Sequence, residues 1–413
     1  MFGSVSRSRS SPLRAASVLL SLGALVFTVL HFVDAQKDSF DLHLILGATQ
    51  ALARHLDPYI AWLNFKNGSA VDPGYEAQYP PSTYVLLLPL LLISWSSITI
   101  MLATANIGAG ALLIALLRRQ FLPDFGVART FSIGAAFFLS MPFQANLLHG
   151  QISLLALAAF LLARNALIRG RFALGVLWLV CALAKPTVTL PLALALWSRT
   201  QIWAMVCASL THIALFLAAA AWLGETPPTL LAHLMEAESY SLLAGFMNYS
   251  NILSSFGTDY GRAGLFISDA ILIIMAALTF LRRDGDPLLL LSLAAVTSAL
   301  CIYHSSYDMM LFVFPLAYIS AVLVRKPFGK QTLLMQSTII LLGFTIALVW
   351  FAIEPIDKYL PMLATNRLGT HYFSGPHVVP LWGILMISAS LALILLFVQT
   401  FLDKGWRADH VGD

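Results

Sequence analysis

Charge is what this chain of 413 residues is shortest of. Asp, Glu, Lys and Arg make up 11% of it against 59% hydrophobic residues, and the mean hydropathy is +0.81. A soluble domain carries about 25% charged residues, so this composition excludes one and indicates an integral membrane protein. Cysteine is scarce as well. Cys181, Cys207 and Cys301 fall in apolar segments, lack the spacing of a zinc site or disulfide framework, and read as small core residues. There is no Gly-rich phosphate loop, no zinc motif, no G-x-S-x-G elbow, no low-complexity segment and no soluble nucleotide-sugar domain. Nothing in the sequence calls for a metal or a cofactor. The formal charge of +4 fits basic loops on one side of a membrane and does not call for nucleic acid.

What is present is a series of apolar runs, roughly 16 to 25 residues each, the length that crosses a ~30 Å hydrocarbon core. Ile202–Leu223, Leu265–Leu281, Leu288–Tyr303, Met309–Val324, Leu333–Ile353 and Val378–Leu402 are clear cases. Arg7, Arg9 and Arg14 before Ala15–Val33 imitate a signal peptide. That apolar part exceeds the roughly 7–15 residues of a signal core, so a retained first helix is expected. The expectation is an all-α polytopic protein of about 10–13 membrane helices in a single domain over 1–413. Within it, 1–33 form the N-terminal tail and first helix, 34–81 an outer loop, and 82–413 the remaining helices and loops.

The positive-inside rule sets the orientation. It places the N-terminus, Arg199, Arg282-Arg283, Arg325-Lys326, Lys330, Lys404 and Arg407 in the cytoplasm. Asp34–Pro81, Glu225–Arg262 and Glu354–His377 then lie outside, with His304–Asp308. Taking Ser82–Leu117 as one interrupted crossing keeps Arg118, Arg119, Arg129, Arg164, Arg169 and Arg171 inside. It also makes Phe172–Trp197 a hairpin or broken helix hinged at Lys185-Pro186. Splitting Ser82–Leu117 into two full crossings, with Phe172–Trp197 as one, moves those six arginines outside and erases the bias.

The outer loop holds the residues with chemistry. Asp41 stands at the start of an amphipathic stretch in which His43, Gly47, Gln50 and Arg54 oppose Leu44, Ile45, Ala48, Leu52 and Leu56, a pattern for a helix lying along the outer surface. Asp41 reads either as an N-cap or as a general base at the membrane boundary, with Asp34 and Asp38 as rivals. Lys185 sits near the midpoint of an apolar run. A charge there costs roughly 2.5–3.5 kcal/mol and needs an anionic partner or a wet cavity, unless it snorkels. As a functional group it is most simply a phosphate ligand. His149-Gly150-Gln151 reads as hydrogen-bonding side chains around a close approach, or as a plain helix–helix turn. In His304-Ser305-Ser306-Tyr307-Asp308, His304 suits phosphate or sugar, and Asp308 either orients it or caps the next helix. His212 and Asp269 read as buried, partnered structural groups. Asn67-Gly68-Ser69 and Asn248-Tyr249-Ser250 fit the glycosylation pattern.

In their order and spacing, Asp41, Ala51-Leu52-Ala53, Asp57-Pro58-Tyr59, Tyr79-Pro80-Pro81, Gly150-Gln151, Lys185, Asn248–Ile252 and the His304/Asp308 cluster resemble glycosyltransferase family 87 of the GT-C superfamily. Where that family often has two glycines before its Asp-Pro-Tyr, His55-Leu56 stand here. The resemblance implies a GT-C-like bundle that transfers a sugar, commonly mannose, from a polyprenyl phosphate to a lipid or glycan acceptor, with inversion. The reaction would lie on the outer side of the cytoplasmic membrane. Asp41 would be the base; Lys185, His149 and His304 would steady the leaving phosphate; Gln151, Tyr79 and Asn248 would line the pocket. No metal is required by that chemistry. A transporter or lipid-linked-sugar flippase is the alternative class, and a structural subunit of an envelope complex a third.

Overall fold

The structure, a computed structural model, describes residues 19, 22–30, 32, 39–68, 73–196, 198–242, 248–254, 258–302, 306–325, 331–352 and 378–402. Every regular element among them is helical. Residues 22–30 form α1. Then come α2 (Phe40–Ala53), α3 (Pro58–Lys66), α4 (Pro81–Leu87) with a 3-10 turn at Leu88–Leu92, α5 (Trp95–Phe121), α6 (Val127–Leu139) and α7 (Met141–His149). α8 (Ser153–Ile168), α9 (Phe172–Ala182), α10 (Pro186–Leu194), α11 (Arg199–Leu223), α12 (Pro227–Leu242) and α13 (Tyr249–Ser254) follow. The chain closes with α14 (Thr258–Leu281), α15 (Pro287–Cys301), a 3-10 segment Ser306–Phe312, α16 (Val313–Arg325), α17 (Leu333–Ala347) and α18 (Val378–Leu402). Five of the described helices are long and apolar enough to cross a membrane, six if α6 and α7, bent by 54°, count as one broken span. The protein is therefore an all-α, multi-pass membrane protein.

Proline punctuates this architecture. Pro58, Pro81, Pro186 and Pro287 each open a helix, where a missing N–H costs nothing. Asp57 and Asp286 cap two of those starts through their carboxylates. Pro186 also keeps Lys185 out of helical geometry (φ −126°, ψ 78°), so α9 stops and the chain turns back. The turn is visible in the partners of α10: Ser298, near the end of α15, donates to the Thr187 carbonyl at 3.1 Å, and Thr279, one turn before Arg282, donates to Leu194 at 3.1 Å. α15 is the hub, with every residue from Leu288 to Cys301 buried, the pattern of a helix surrounded by others.

α5 and α8 run side by side in one direction, joined by Asn106 to Gln151 and by Gln120 to Leu161 and Arg164. Arg118 and Arg119 close α5, Arg129 stands in the first turn of α6, and Arg169 and Arg171 flank the α8–α9 turn. These arginines thus gather at one end, and the tips of α7 and α9 meet at the other. α8, 16 residues long, spans about 24 Å between them. Between Tyr79 and α5 the chain makes α4 and the 3-10 turn, and Trp95 returns to meet His43 of α2 edge-on at 5.2 Å.

α2 packs on protein through Leu42, Ile45, Ala48, Thr49 and Leu52 and leaves Phe40, His43 and Gln50 exposed. Gly47, placed by pattern on the polar face, instead lies against Tyr75, where an added Cβ would come within 2.8 Å. Three further expectations need correction. Cys181 is exposed on α9, and only Cys301 of the three cysteines is buried. Asp269 is exposed on α14, whereas His212 is partnered, by Ser82 and the Val180 carbonyl. Asn248 is 1% exposed, so of the two glycosylation patterns only Asn67 stands exposed.

Candidate active site

Four parts of the chain converge at the end remote from the arginines. The first is the start of α2. Ser39 occupies its N-cap position, which places Asp41 in the first turn rather than at the cap and corrects the capping alternative. The second is the α7–α8 turn. Gly150 adopts φ 67°, and a Cβ on it would lie 2.9 Å from Leu42 Cβ and 3.2 Å from Ser39 Cβ, so only glycine lets α2 come this close. The third is the α9–α10 tip with Lys185, tied to α4 by Thr83 donating to the Ala184 carbonyl at 2.8 Å. The fourth is the 3-10 segment carrying Tyr307 and Asp308, held by Trp350 donating to the Met309 carbonyl at 3.1 Å.

Lys185 is 5% exposed and its three protons are all placed: 2.8 Å to Asp308 Oδ1, 2.6 Å to Ser153 Oγ and 3.2 Å to Gln151 Oε1. Ser153 passes its own proton to Asp308 at 2.6 Å. The rings of Tyr307 and Tyr79 stand 4.6 and 5.7 Å from the ammonium, close enough for cation–π attraction. Lys185 therefore has the anionic partner that its place in an apolar run demanded, and it is Asp308. From the other side of Gln151, Nε2 donates to Asp41 Oδ2 at 2.8 Å and to Tyr307 at 3.0 Å. Tyr79 donates to Gln151 Oε1 at 2.9 Å. Asp41 is half-buried, and among the described residues Gln151 alone holds its carboxylate.

The two Pro/Tyr turns, Asp57-Pro58-Tyr59 and Tyr79-Pro80-Pro81, serve this cluster from behind. Tyr59 donates to the Tyr79 carbonyl at 2.5 Å, and the Tyr79 amide donates to Tyr84 at 3.1 Å. Burial pushes the Tyr59 hydroxyl well above its usual range, with the neighbouring Tyr84 and Asp57 adding to the shift, so it stays a donor. Asp57 meets His233 Nδ1 at 2.8 Å while capping α3.

Of the residues singled out by sequence, Asp41, Gln151, Tyr79 and Lys185 form one hydrogen-bonded cluster. His149 stands beside it, half-buried, with its ring 6.2 Å from that of Tyr307. Asn248 is buried at the start of α13 and joins none of these bonds, and His304 lies outside the described residues. Ser153, Tyr307 and Asn106 are members that the sequence reading did not select. Ser153 two positions after Gln151, and Tyr307 beside Asp308, were the available signals. Among the described residues, no three His, Cys, Asp or Glu side chains gather as a metal site.

An all-α multi-pass protein with a polar cluster gathered at one end of its helices is the class these features define. Residues 77–304, just over half of the chain, match the profile of glycosyltransferase family 87, and the chain belongs to that family: it is a membrane glycosyltransferase. No curated protein and no solved structure matches the chain. The matched stretch includes Tyr79, His149, Gln151, Lys185 and Asn248 and ends at His304. Asp41 and Asp308 lie outside it and reach it through Gln151 and Lys185.

Proposed function

We propose that this enzyme transfers mannose from a polyprenyl-phosphate donor to a hydroxyl of a lipid or glycan acceptor, on the outer face of the cytoplasmic membrane and with inversion. The observation that carries this reading is the Asp41 carboxylate, uncommitted to its own helix, half-buried, and aimed by a group that leads directly to a buried cation. The arginine-bearing helix ends, remote from the cluster, support the side: by the positive-inside rule they face the cytoplasm.

In this mechanism Asp41 takes the proton of the acceptor hydroxyl as its oxygen bonds to the anomeric carbon. The bond from that carbon to the phosphate oxygen breaks on the opposite face, and polyprenyl phosphate leaves. Lys185, His149 and His304 steady the negative charge that develops on the phosphate, and Tyr79, Gln151 and Asn248 line the pocket. Lys185 reaches the phosphate by exchanging one of its three partners, so donor binding competes with Asp308, Ser153 or Gln151 for the ammonium. The lipid tail lies between helices.

The test uses purified protein in lipid vesicles with radiolabelled polyprenyl-phosphate mannose and a membrane glycolipid extract, comparing the wild type with Asp41→Asn. Label is expected in a new product with the wild type alone. Equal transfer by both removes Asp41 as the base. Label crossing the bilayer without transfer, by both proteins, replaces the transferase reading with that of a flippase.

A further inference from the structure

Gln151 lines the pocket with every polar atom of its side chain already engaged. Its two amide protons go to Asp41 and Tyr307, and its oxygen accepts from Tyr79 and Lys185. Its carbonyl accepts from Asn106 at 2.9 Å, its backbone N–H donates to Asn146 at 3.0 Å, and it is 2% exposed. The sense of the amide is also enforced. An ammonium only donates and a carboxylate only accepts, so oxygen must face Lys185 and nitrogen must face Asp41. A flipped amide would set oxygen against carboxylate at one end and NH2 against ammonium at the other.

We propose that Gln151 is a positioning residue that aims Asp41, and that the buried Lys185–Asp308 pair acts through its amide oxygen to keep it aimed. The inference rests on Asp41 being the base. Two features fit aiming better than substrate contact. Gly150 brings the α7–α8 turn against Ser39 and Leu42, on either side of Asp41, so backbone and side chain fix the same spacing. A neutral amide also orients the carboxylate without pairing it directly with a cation; the cation stands one residue back.

Gln151→Met and Gln151→Glu, both close to glutamine in size, test this in lipid vesicles alongside Asp41→Asn. Thermal unfolding checks that each is folded. Gln151→Met frees the carboxylate to rotate and is expected to lower kcat about 10- to 100-fold while donor and acceptor KM stay within about 3-fold, since misplacement near 1 Å costs on that scale. In Gln151→Glu two carboxylates face each other and share a proton, so the acidic limb of the kcat/KM profile should move to higher pH by about one unit or more. Lys185, Asp308, Tyr79, Tyr307, His149 and His43 around them are unchanged. A raised donor KM with kcat preserved would instead make Gln151 a donor contact. An unmoved acidic limb in folded, active Gln151→Glu overturns the aiming role outright, and that variant serves even where Gln151→Met does not fold. Wild-type turnover by Asp41→Asn is a separate failure, that of the base itself.

Discussion

Asp41 and Asp57 both precede α4 in the chain, each next to the start of a helix, and the structure uses them in opposite ways. Asp57 spends its carboxylate locally: Oδ1 accepts the amides of Tyr59 and Ile60 at 2.8 and 3.4 Å, and Oδ2 takes His233. Asp41 has Ser39 ahead of it at the cap position, so its own helix makes no claim on its oxygens. It benefits from the helix dipole in the first turn, but the donor that holds it comes from the α7–α8 turn. A carboxylate consumed by its own helix is a structural part. One left over by its helix and aimed by another element is free for chemistry.

The sharpest way to break this contrast is to exchange the two losses. Asp41→Asn should cut transfer about 10²- to 10⁴-fold, the usual worth of a general base, with an unchanged melting temperature. Asp57→Ala should keep turnover within a few-fold and lose about 1–2 kcal/mol of stability with its cap. A folded but inactive Asp57→Ala protein would dissolve the distinction. Next in size is the buried pair. Lys185→Met alone strands Asp308 and should cost about 3–5 kcal/mol, whereas Lys185→Met with Asp308→Leu should recover most of it; thermal unfolding in lipid reads both. Tyr59→Phe removes the brace on Tyr79 and should cost about 1–3 kcal/mol. Because burial raises the Tyr59 hydroxyl, the sign of its pH dependence is set. Its contribution is complete below about pH 10, where tyrosine in the unfolded chain is also protonated, and falls by at most ~1.4 kcal/mol per unit above it. Tyr59→Phe should flatten that alkaline loss.

The setting of this contrast could be read from the chain, and the contrast itself needed coordinates for identifiable reasons. Hydropathy and the positive-inside rule depend on residue type and order alone, so the membrane class and the break at Lys185-Pro186 were visible in sequence. Proline writes its effect on the preceding residue directly into the chain. Asp41 and Asp57 look alike in sequence because a cap and a first-turn acid differ by one or two residues of helix boundary, which no pattern resolves. The partner of Lys185 lies more than a hundred positions away, and nothing local distinguishes an Asp308 that caps from one that pairs. Ser153 escaped notice because a small hydroxyl in an apolar helix has no signature until something charged is set beside it. Gly47 and Asp269 were misplaced for the converse reason: periodicity tells which residues share a face, not which face the neighbouring elements cover.

The smallest effect bears on the turn between the two carboxylates. His55 stands where the resemblance to family 87 leads one to expect glycine, and its φ is +60°, a left-handed conformation that costs a residue with a Cβ about 1–2 kcal/mol and glycine almost nothing. The side chain offsets that strain. Its ring stacks on Trp222 with centroids 4.1 Å apart and planes 16° from parallel, and Nδ1 donates to the Trp222 carbonyl at 2.8 Å. Trp222 in turn donates to the Leu52 carbonyl at the end of α2. The stack and the hydrogen bond are each worth about 0.5–1.5 kcal/mol, so strain and contacts nearly balance. His55→Gly gives up both together and should change stability by no more than about 1–2 kcal/mol. His55→Ala keeps the strain and loses the contacts, and should fall below His55→Gly by about 1 kcal/mol. The order wild type, Gly, Ala in melting temperature is the expected result. Ala at or above Gly would mean that the turn is not strained and that His55 is not held there by Trp222.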